Sequence, residues 1–158
     1  MKKASLEQFI NRYNLGGEVE SVKITSTDSE MKVSFISDDK TLLGEVTSKE
    51  GEFPNGEFGV YTTSQLKALL GVLESSMDVD STESYIKFSD KGTSVNYMLA
   101  DLSVIPVVPD LKAVPPMNVQ ITLDDDFTSK FIKSKGALSE SDTFTFECKN
   151  NNGEIILG

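Results

Sequence analysis

The sequence contains no histidine and no tryptophan, a single cysteine (Cys148) and only five prolines, and its 15 basic side chains face 25 acidic ones. Each shortage excludes something. Without histidine there is no imidazole base, acid or metal ligand, so catalysis of the serine–histidine or cysteine–histidine kind is out of reach. One cysteine can form no internal disulfide and no CxxC metal knuckle. No apolar run approaches the roughly 18 residues of a membrane helix, and the stretch 102–108 is broken by Pro106. The opening Met-Lys-Lys-Ala-Ser-Leu-Glu-Gln has no long apolar segment behind its lysines, so no secretory leader is expected and an intracellular, soluble protein is. A net charge of −10 repels nucleic acid and anionic membranes when taken as an average.

What is present supports a packed protein. The 158 residues are 38% hydrophobic, enough for a core, and the length suits one domain or one plus part of another. Over 5–15, Leu6, Phe9, Ile10 and Tyr13 recur at helical spacing, with Ser5 and Gln8 as a capping box and Gly16-Gly17 as the stop. The period then changes to two. Val19, Val22 and Ile24, then Met31, Val33 and Phe35, predict two strands about the turn 28–30. Further strands are expected at 42–47 and 58–61, the latter after Pro54-Asn55-Gly56. A second helix is expected over about 64–75, capped by Thr63 or Ser64, with Leu66, Leu69, Leu70 and Leu73 on one face. Strands at 77–80, 85–88 and 93–100 follow, the last two joined by Asp90-Lys91-Gly92.

Residues 101–117 hold four of the five prolines, have no regular period and are nevertheless apolar. That composition predicts an extended connector which lies on a surface or offers one. Beyond it the pattern restarts, with a strand at 118–123, a helix at 125–138 behind Asp124, Asp125 and Asp126, a strand through Phe144 and Phe146, and a strand at 154–157. In that third helix Phe127, Phe131 and Leu138 form the apolar stripe. The fold class is therefore α+β, helices on antiparallel sheets, divided as 1–100, a connector 101–117, and 118–158.

Chemistry-bearing motifs are sparse. There is no GxGxxG and no GxxxxGK[ST]. Asp78, Asp80 and Glu83 could hold a hard cation, but they lack the glycine and ligand spacing of a calcium loop and read as turn solvation. Asp124, Asp125 and Asp126 could bind magnesium, or could simply cap the helix behind them. Asp38-Asp39-Lys40 is a polar turn, and Cys148 alternates with Phe144 and Phe146, which predicts a buried thiol. No cofactor, no metal and no catalytic residue are expected, and the chain does not read as an enzyme.

The signs of charge are segregated. Arg12, Lys67, Lys130, Lys133 and Lys135 lie on the expected helices, while most carboxylates fall in strands and turns. Solvated helix faces carry lysines in any case. If the helices share one surface, however, that surface is basic on an acidic molecule and suits weak, sequence-independent phosphate contact.

The order of elements, together with Phe58-Gly-Val-Tyr61, Gln65-Leu-Lys-Ala-Leu-Leu-Gly-Val-Leu73, Ile86-Lys-Phe-Ser-Asp90 and Tyr97-Met-Leu-Ala-Asp101, resembles the sliding-clamp family of ring-shaped DNA polymerase processivity factors. The likeness is to the clamps of tailed bacteriophages, with the fold of the proliferating-cell nuclear antigen. The resemblance implies pseudo-repeated domains, helices lining a central hole, duplex DNA encircled without sequence specificity, a tethered DNA polymerase, a clamp loader and a homotrimeric ring. It places Arg12, Lys67, Lys130, Lys133 and Lys135 toward DNA. It maps a client-peptide pocket onto Leu42, Leu43, Val104, Ile105 and Val107, although the two leucines can equally be core. It also makes the strand bearing Val95, Tyr97 and Leu99 a subunit interface. Residues 118–158 look like the opening of a second domain, about sixty residues short of a repeat. A cut-down or incomplete gene product with exposed sheet edges, unable to close the usual ring, is therefore expected. The implied setting is the cytoplasm of an infected bacterial host. The alternatives left open are an acidic phage structural or adaptor protein and, less favoured by the residues, a small metal-dependent enzyme using Asp78, Asp80 and Glu83.

Overall fold

The computed structural model describes all residues except 50–51, 111–115, 118, 139, 142, 150–151 and 158. The chain divides into two compact units, Met1–Asp110 and Leu111–Gly158. The division falls inside the apolar connector, so its first ten residues belong with the first unit.

The first unit opens with helix α1 (Lys3–Asn14), which buries Leu6, Phe9, Ile10 and Tyr13, as the spacing requires. Its N-cap is Lys2, three residues before the Ser5 of the predicted capping box, and no side chain caps it. The first turn is satisfied from elsewhere: the Lys3 amide donates to the Ser75 carbonyl (3.1 Å), and Lys2 bridges Ser76. The helix ends where Leu15, Gly16 and Gly17 take φ of 49°, 77° and 113°. Three successive left-handed residues reverse the chain, and two of them are glycine because only glycine enters that region without strain.

Strands β1 (Val22–Ser26), β2 (Met31–Ile36), β3 (Leu43–Ser48) and β4 (Gly56–Val60) form one antiparallel sheet in the order β3-β2-β1-β4. Ile24 pairs with Val33 and with Phe58, so the period-two pattern delivers one continuous apolar face. Lys23, Thr25, Lys32 and Ser34 fall on the other face. Helix α2 (Thr63–Leu70) then leads to a second antiparallel sheet of β5 (Asp78–Ser81), β6 (Tyr85–Ser89) and β7 (Ser94–Met98), in that order. α2 is shorter than the predicted 64–75: the Gly71 amide closes on the Lys67 and Ala68 carbonyls, and Lys3 Nζ takes the Leu73 carbonyl at 2.9 Å. Leu73 is buried nevertheless, beside Leu66 and Leu70. One core runs through the unit, from Leu6 and Tyr13 through Val33 and Phe58 to Phe88 and Tyr97.

The second unit holds helix α3 (Asp125–Ala137) and the hairpin β8 (Phe144–Lys149) with β9 (Asn152–Leu157). Asp124 caps α3 by accepting the Phe127 amide at 2.7 Å. Of the strand expected at 118–123, the described residues 119–123 enter no ladder; among the described residues the sheet of this unit pairs β8 with β9 alone. Residues 118 and 151, at the expected strand start and in the expected turn, lie outside the described residues. No described residue of this unit is buried. Phe127, Phe131, Phe144 and Phe146 touch ring to ring, yet Leu138 is exposed, and so is Cys148, which was expected in a core. Alternation puts Cys148 on a common face with Phe144 and Phe146, but a hairpin and one helix leave that face open to water. Among the described residues no helix is long and apolar enough to cross a membrane.

Candidate functional site

Three places carry the residues singled out from the sequence. The first is the helix pair α1 and α2, which lie against one another. Arg12 is exposed in the last turn of α1. Lys67 is half-buried, and its Nζ reaches Asn14 Oδ1 at 3.4 Å. Around it runs a polar network joining the two helices. Asn14 Nδ2 donates to the Val19 carbonyl (2.8 Å) and to Glu20 Oε1 (3.4 Å). Glu20 Oε2 accepts the Ser64 amide at 2.8 Å and its hydroxyl at 3.0 Å. Thr63 Oγ1 donates to the Glu20 carbonyl at 2.8 Å. The predicted Thr63 or Ser64 side-chain cap is thus replaced by the Glu20 carboxylate, whose charge suits the positive end of the helix. Behind this network Tyr13 is fully buried, and burial pushes its hydroxyl well above the ordinary tyrosine value, only partly offset by Thr63.

On α3 the three lysines fare differently. Lys130 is held by Asp126 one turn earlier (2.7 Å), and Lys135 is half-buried with its Nζ on the Ser141 carbonyl. Lys133 is exposed and, like Arg12, enters no ion pair among the described residues. Helical position alone could not distinguish these cases, because a cation's availability depends on which carboxylate or carbonyl the fold sets beside it.

The second place is the connector. After β7 the Ala100 amide donates to the Gly59 carbonyl at 2.9 Å, fastening the chain to the edge of β4. A Cβ on Gly59 would overlap the Ala100 carbonyl oxygen, so glycine is what lets the two backbones meet. Asp101 accepts the Ser103 amide at 2.8 Å and caps a short 3-10 turn, Leu102–Val104. Hydrogen bonds from Ser103 hold that carboxyl below its ordinary value. Ile105 is then buried, whereas Val104 is exposed and Val107 is 91% exposed. Between this segment and the outer face of the first sheet lies a cavity of about 540 Å³. Leu102, Ile105, Pro106, Val107 and Val108 form its wall, and Lys23, Thr25, Lys32, Ser34 and Glu57 its floor. Leu42, exposed, and Leu43, half-buried, stand at the start of β3 outside this lining. The floor residues were missed in the sequence. Their alternation marked them as outward-facing, but nothing local says that a segment eighty residues later crosses them.

The third place is β7, the outer strand of its sheet. Val95 and Leu99 pack on the core, and Tyr97 is buried with its hydroxyl 3.2 Å from the Thr62 amide and carbonyl. These side chains therefore serve the core. What β7 offers outward is its main-chain edge and the exposed Ser94, Asn96 and Met98. Asp78, Asp80 and Glu83 do not converge: among the described residues no three histidine, cysteine or acidic side chains come together as a metal-holding group.

Helices laid on antiparallel sheets, with an apolar strap across the outer face of the first sheet, make an α+β fold. No family model and no curated protein matches the sequence. Among solved structures the chain is similar to the DNA polymerase III subunit beta from Pseudomonas aeruginosa, with a TM-score of 0.50 and 13% identity over 70% of this chain and 32% of that one. It is also similar to the DNA polymerase III beta chain from Streptococcus pneumoniae TIGR4, with a TM-score of 0.48 and 16% identity over 73% of this chain and 34% of that one. The chain spans about a third of the length of either neighbour. At such identity the likeness is one of fold.

Proposed function

We propose that this chain is a sliding-clamp subunit: it encircles duplex DNA without sequence specificity, together with copies of itself, and tethers a replicative DNA polymerase. It performs no catalysis. The observation that carries the reading is the clamp-like fold shared with the Pseudomonas aeruginosa subunit over 70% of this chain. The charge arrangement supports it, because Arg12 and Lys133 stand exposed on helices of an acidic protein, with Lys67, Lys130 and Lys135 as further DNA-facing groups already held by local partners. Residues 118–158 belong to a second unit of the same kind, and α3 followed by the hairpin β8–β9 repeats the order of α1, β1 and β2. The main-chain edge of β7 joins neighbouring subunits, in a trimer for the phage-type clamps this sequence resembles, and the proposed ring is closed, unlike the unclosed one expected from the sequence alone. A loader opens the ring, and the setting is the cytoplasm of an infected bacterium. Client polymerase contacts the exposed Val104 and Val107, with the buried Ile105 holding the strap in place and Leu42 and Leu43 adding apolar surface beyond it.

Retention on DNA tests this reading. Loaded on nicked circular duplex, the protein is expected to stay until the circle is linearised and then to slide off. Reversing Arg12 and Lys133 to glutamate should lower retention several-fold while leaving the melting temperature unchanged, since both side chains are exposed. Equal retention on circular and linear DNA would overturn the clamp. Indifference to charge reversal would favour an acidic adaptor with no nucleic-acid face.

A further inference from the structure

The turn Pro54-Asn55-Gly56 sets a chemically labile pair beside a contact that depends on it. Asn55 is exposed and lies just outside β4, so no ladder pairing holds its main chain. Gly56, also exposed, is the first residue of that strand and stands in register with Ser26. It takes φ of 149°, a conformation that residues with side chains rarely adopt. An asparagine followed by glycine presents its side-chain carbonyl carbon to a main-chain nitrogen that no β-carbon shields, and asparagine is among the heat-labile side chains. The Asn55 amide meanwhile has a structural task. Its Nδ2 donates to Asp28 Oδ1, tying the segment before β4 to the turn between β1 and β2. Asp28 is exposed and enters no ion pair among the described residues, so no paired cation would offset a second carboxylate beside it.

We propose that Asn55 is a self-modification site: the chain deamidates there through a succinimide, and the product carboxylate breaks the tie to Asp28. The Gly56 amide nitrogen loses its proton to solvent base and attacks Asn55 Cγ. The N–Cγ bond forms, the Cγ–Nδ2 bond breaks, and Nδ2 takes up a proton and leaves as ammonia. Water then opens the ring at either carbonyl, returning a proton to the Gly56 nitrogen and leaving aspartate or isoaspartate. Nothing is oxidised or reduced, and water is the only co-reactant. Either product replaces a donor by an acceptor, so two carboxylates face each other where a hydrogen bond stood, and like charges at that range repel. Isoaspartate adds a second effect, because it routes the main chain through the former side chain and inserts a methylene just where Gly56 enters register with Ser26. The damage is confined. Phe53 is buried, its ring meets Phe58 edge-on with centroids 5.3 Å apart, and the Ser26 hydroxyl reaches the Phe53 carbonyl at 3.5 Å, so the segment stays anchored from its other side. The reaction is independent of the clamp reading.

The test ages the intact chain at body temperature in mildly alkaline buffer made with heavy-oxygen water, and then maps its peptides. Asn55 is expected to convert largely within days, with isoaspartate exceeding aspartate and heavy oxygen in both. Over the same period the melting temperature should fall by about 2–4 °C. Asn55→Gln closes the corresponding larger ring far more slowly and should keep its starting value, which separates this loss from any reaction at the other asparagine–glycine pair, Asn152-Gly153. The consequence is also read directly. Asn55→Asp should melt about 2–4 °C below the wild type, and Asp28→Asn/Asn55→Asp should recover most of that, because the exchanged amide donates to the exchanged carboxylate. Intact Asn55 after ageing, aspartate without isoaspartate, or an Asn55→Asp variant as stable as the wild type would overturn the proposal, as would a swapped pair no more stable than Asn55→Asp alone.

Discussion

Gly59 shows how much one missing methyl group decides. Its carbonyl receives the Ala100 amide, and its bare Cα lets the Ala100 carbonyl approach where any side chain would collide. Gly59→Ala is expected to cost about 1–3 kcal/mol, the usual range for overpacking, and to speed exchange of the Ala100 amide as the strap loosens. Urea melts and hydrogen exchange check both, and an unchanged Ala100 amide would refute the latch. Tyr13 marks a second residue-scale effect. Burial raises its hydroxyl above the ordinary value of 10.0, so the unfolded chain ionises first as the medium becomes alkaline. Stability is therefore full below that value and declines above it. Tyr13→Phe removes the ionisable group: it should lose only about 1 kcal/mol at neutral pH, for a long hydrogen bond to Thr63, and gain on the wild type in alkaline melts.

At the scale of elements, α2 is set by contacts that its own sequence does not contain. The Glu20 carboxylate caps its start, and Glu20→Ala should destabilise by about 1 kcal/mol in thermal denaturation, the usual cost of a lost cap. Its apolar face is buried through Leu66 and Leu70, so Leu66→Ala is expected to cost about 2–5 kcal/mol. Beyond its far end, Asp90 accepts the amides of Glu74 (2.8 Å), Gly92 (3.1 Å) and Thr93 (2.9 Å), tying the segment after α2 to the β6–β7 hairpin. These bonds, that from Glu74 first, hold its carboxyl below the ordinary 3.8, so its contribution is in place above that value and is lost as the pH falls through the lowered one. Asp90→Asn should flatten the acid limb of the stability curve. Much of this level was legible in the sequence: Leu6, Phe9, Ile10 and Tyr13 marked α1, and the alternation placed Val22, Ile24, Met31, Val33 and Phe35 inward, though not the buried Ser26. The Ser5 box and the Thr63 or Ser64 cap misled because tertiary donors and acceptors took their place.

For the whole molecule, the contrast between the units governs dynamics. The first has a single continuous core, while no described residue of the second is buried. Opening free energy follows buried apolar contact, so amides of β8 and β9 are expected to exchange about a hundredfold or more faster than those of β1 and β2. Equal protection in the two hairpins would contradict this. The ring contacts among Phe127, Phe131, Phe144 and Phe146 order the second unit locally without drying it.

Composition determined that no imidazole chemistry and no internal disulfide could operate, and periodicity determined the helices, the strands of the first unit and their inward faces. Those are local properties, written in the spacing of apolar side chains. Which charges are free, where the connector runs and what lies beneath it were decided by tertiary structure alone. Arg12 and Lys133 stand open while Lys130 and Lys135 are engaged, and Lys23 and Lys32 become the floor of a cavity, because each outcome depends on a partner brought near by folding. The same holds for Cys148: alternation chose its face, but only a covering layer could have buried it.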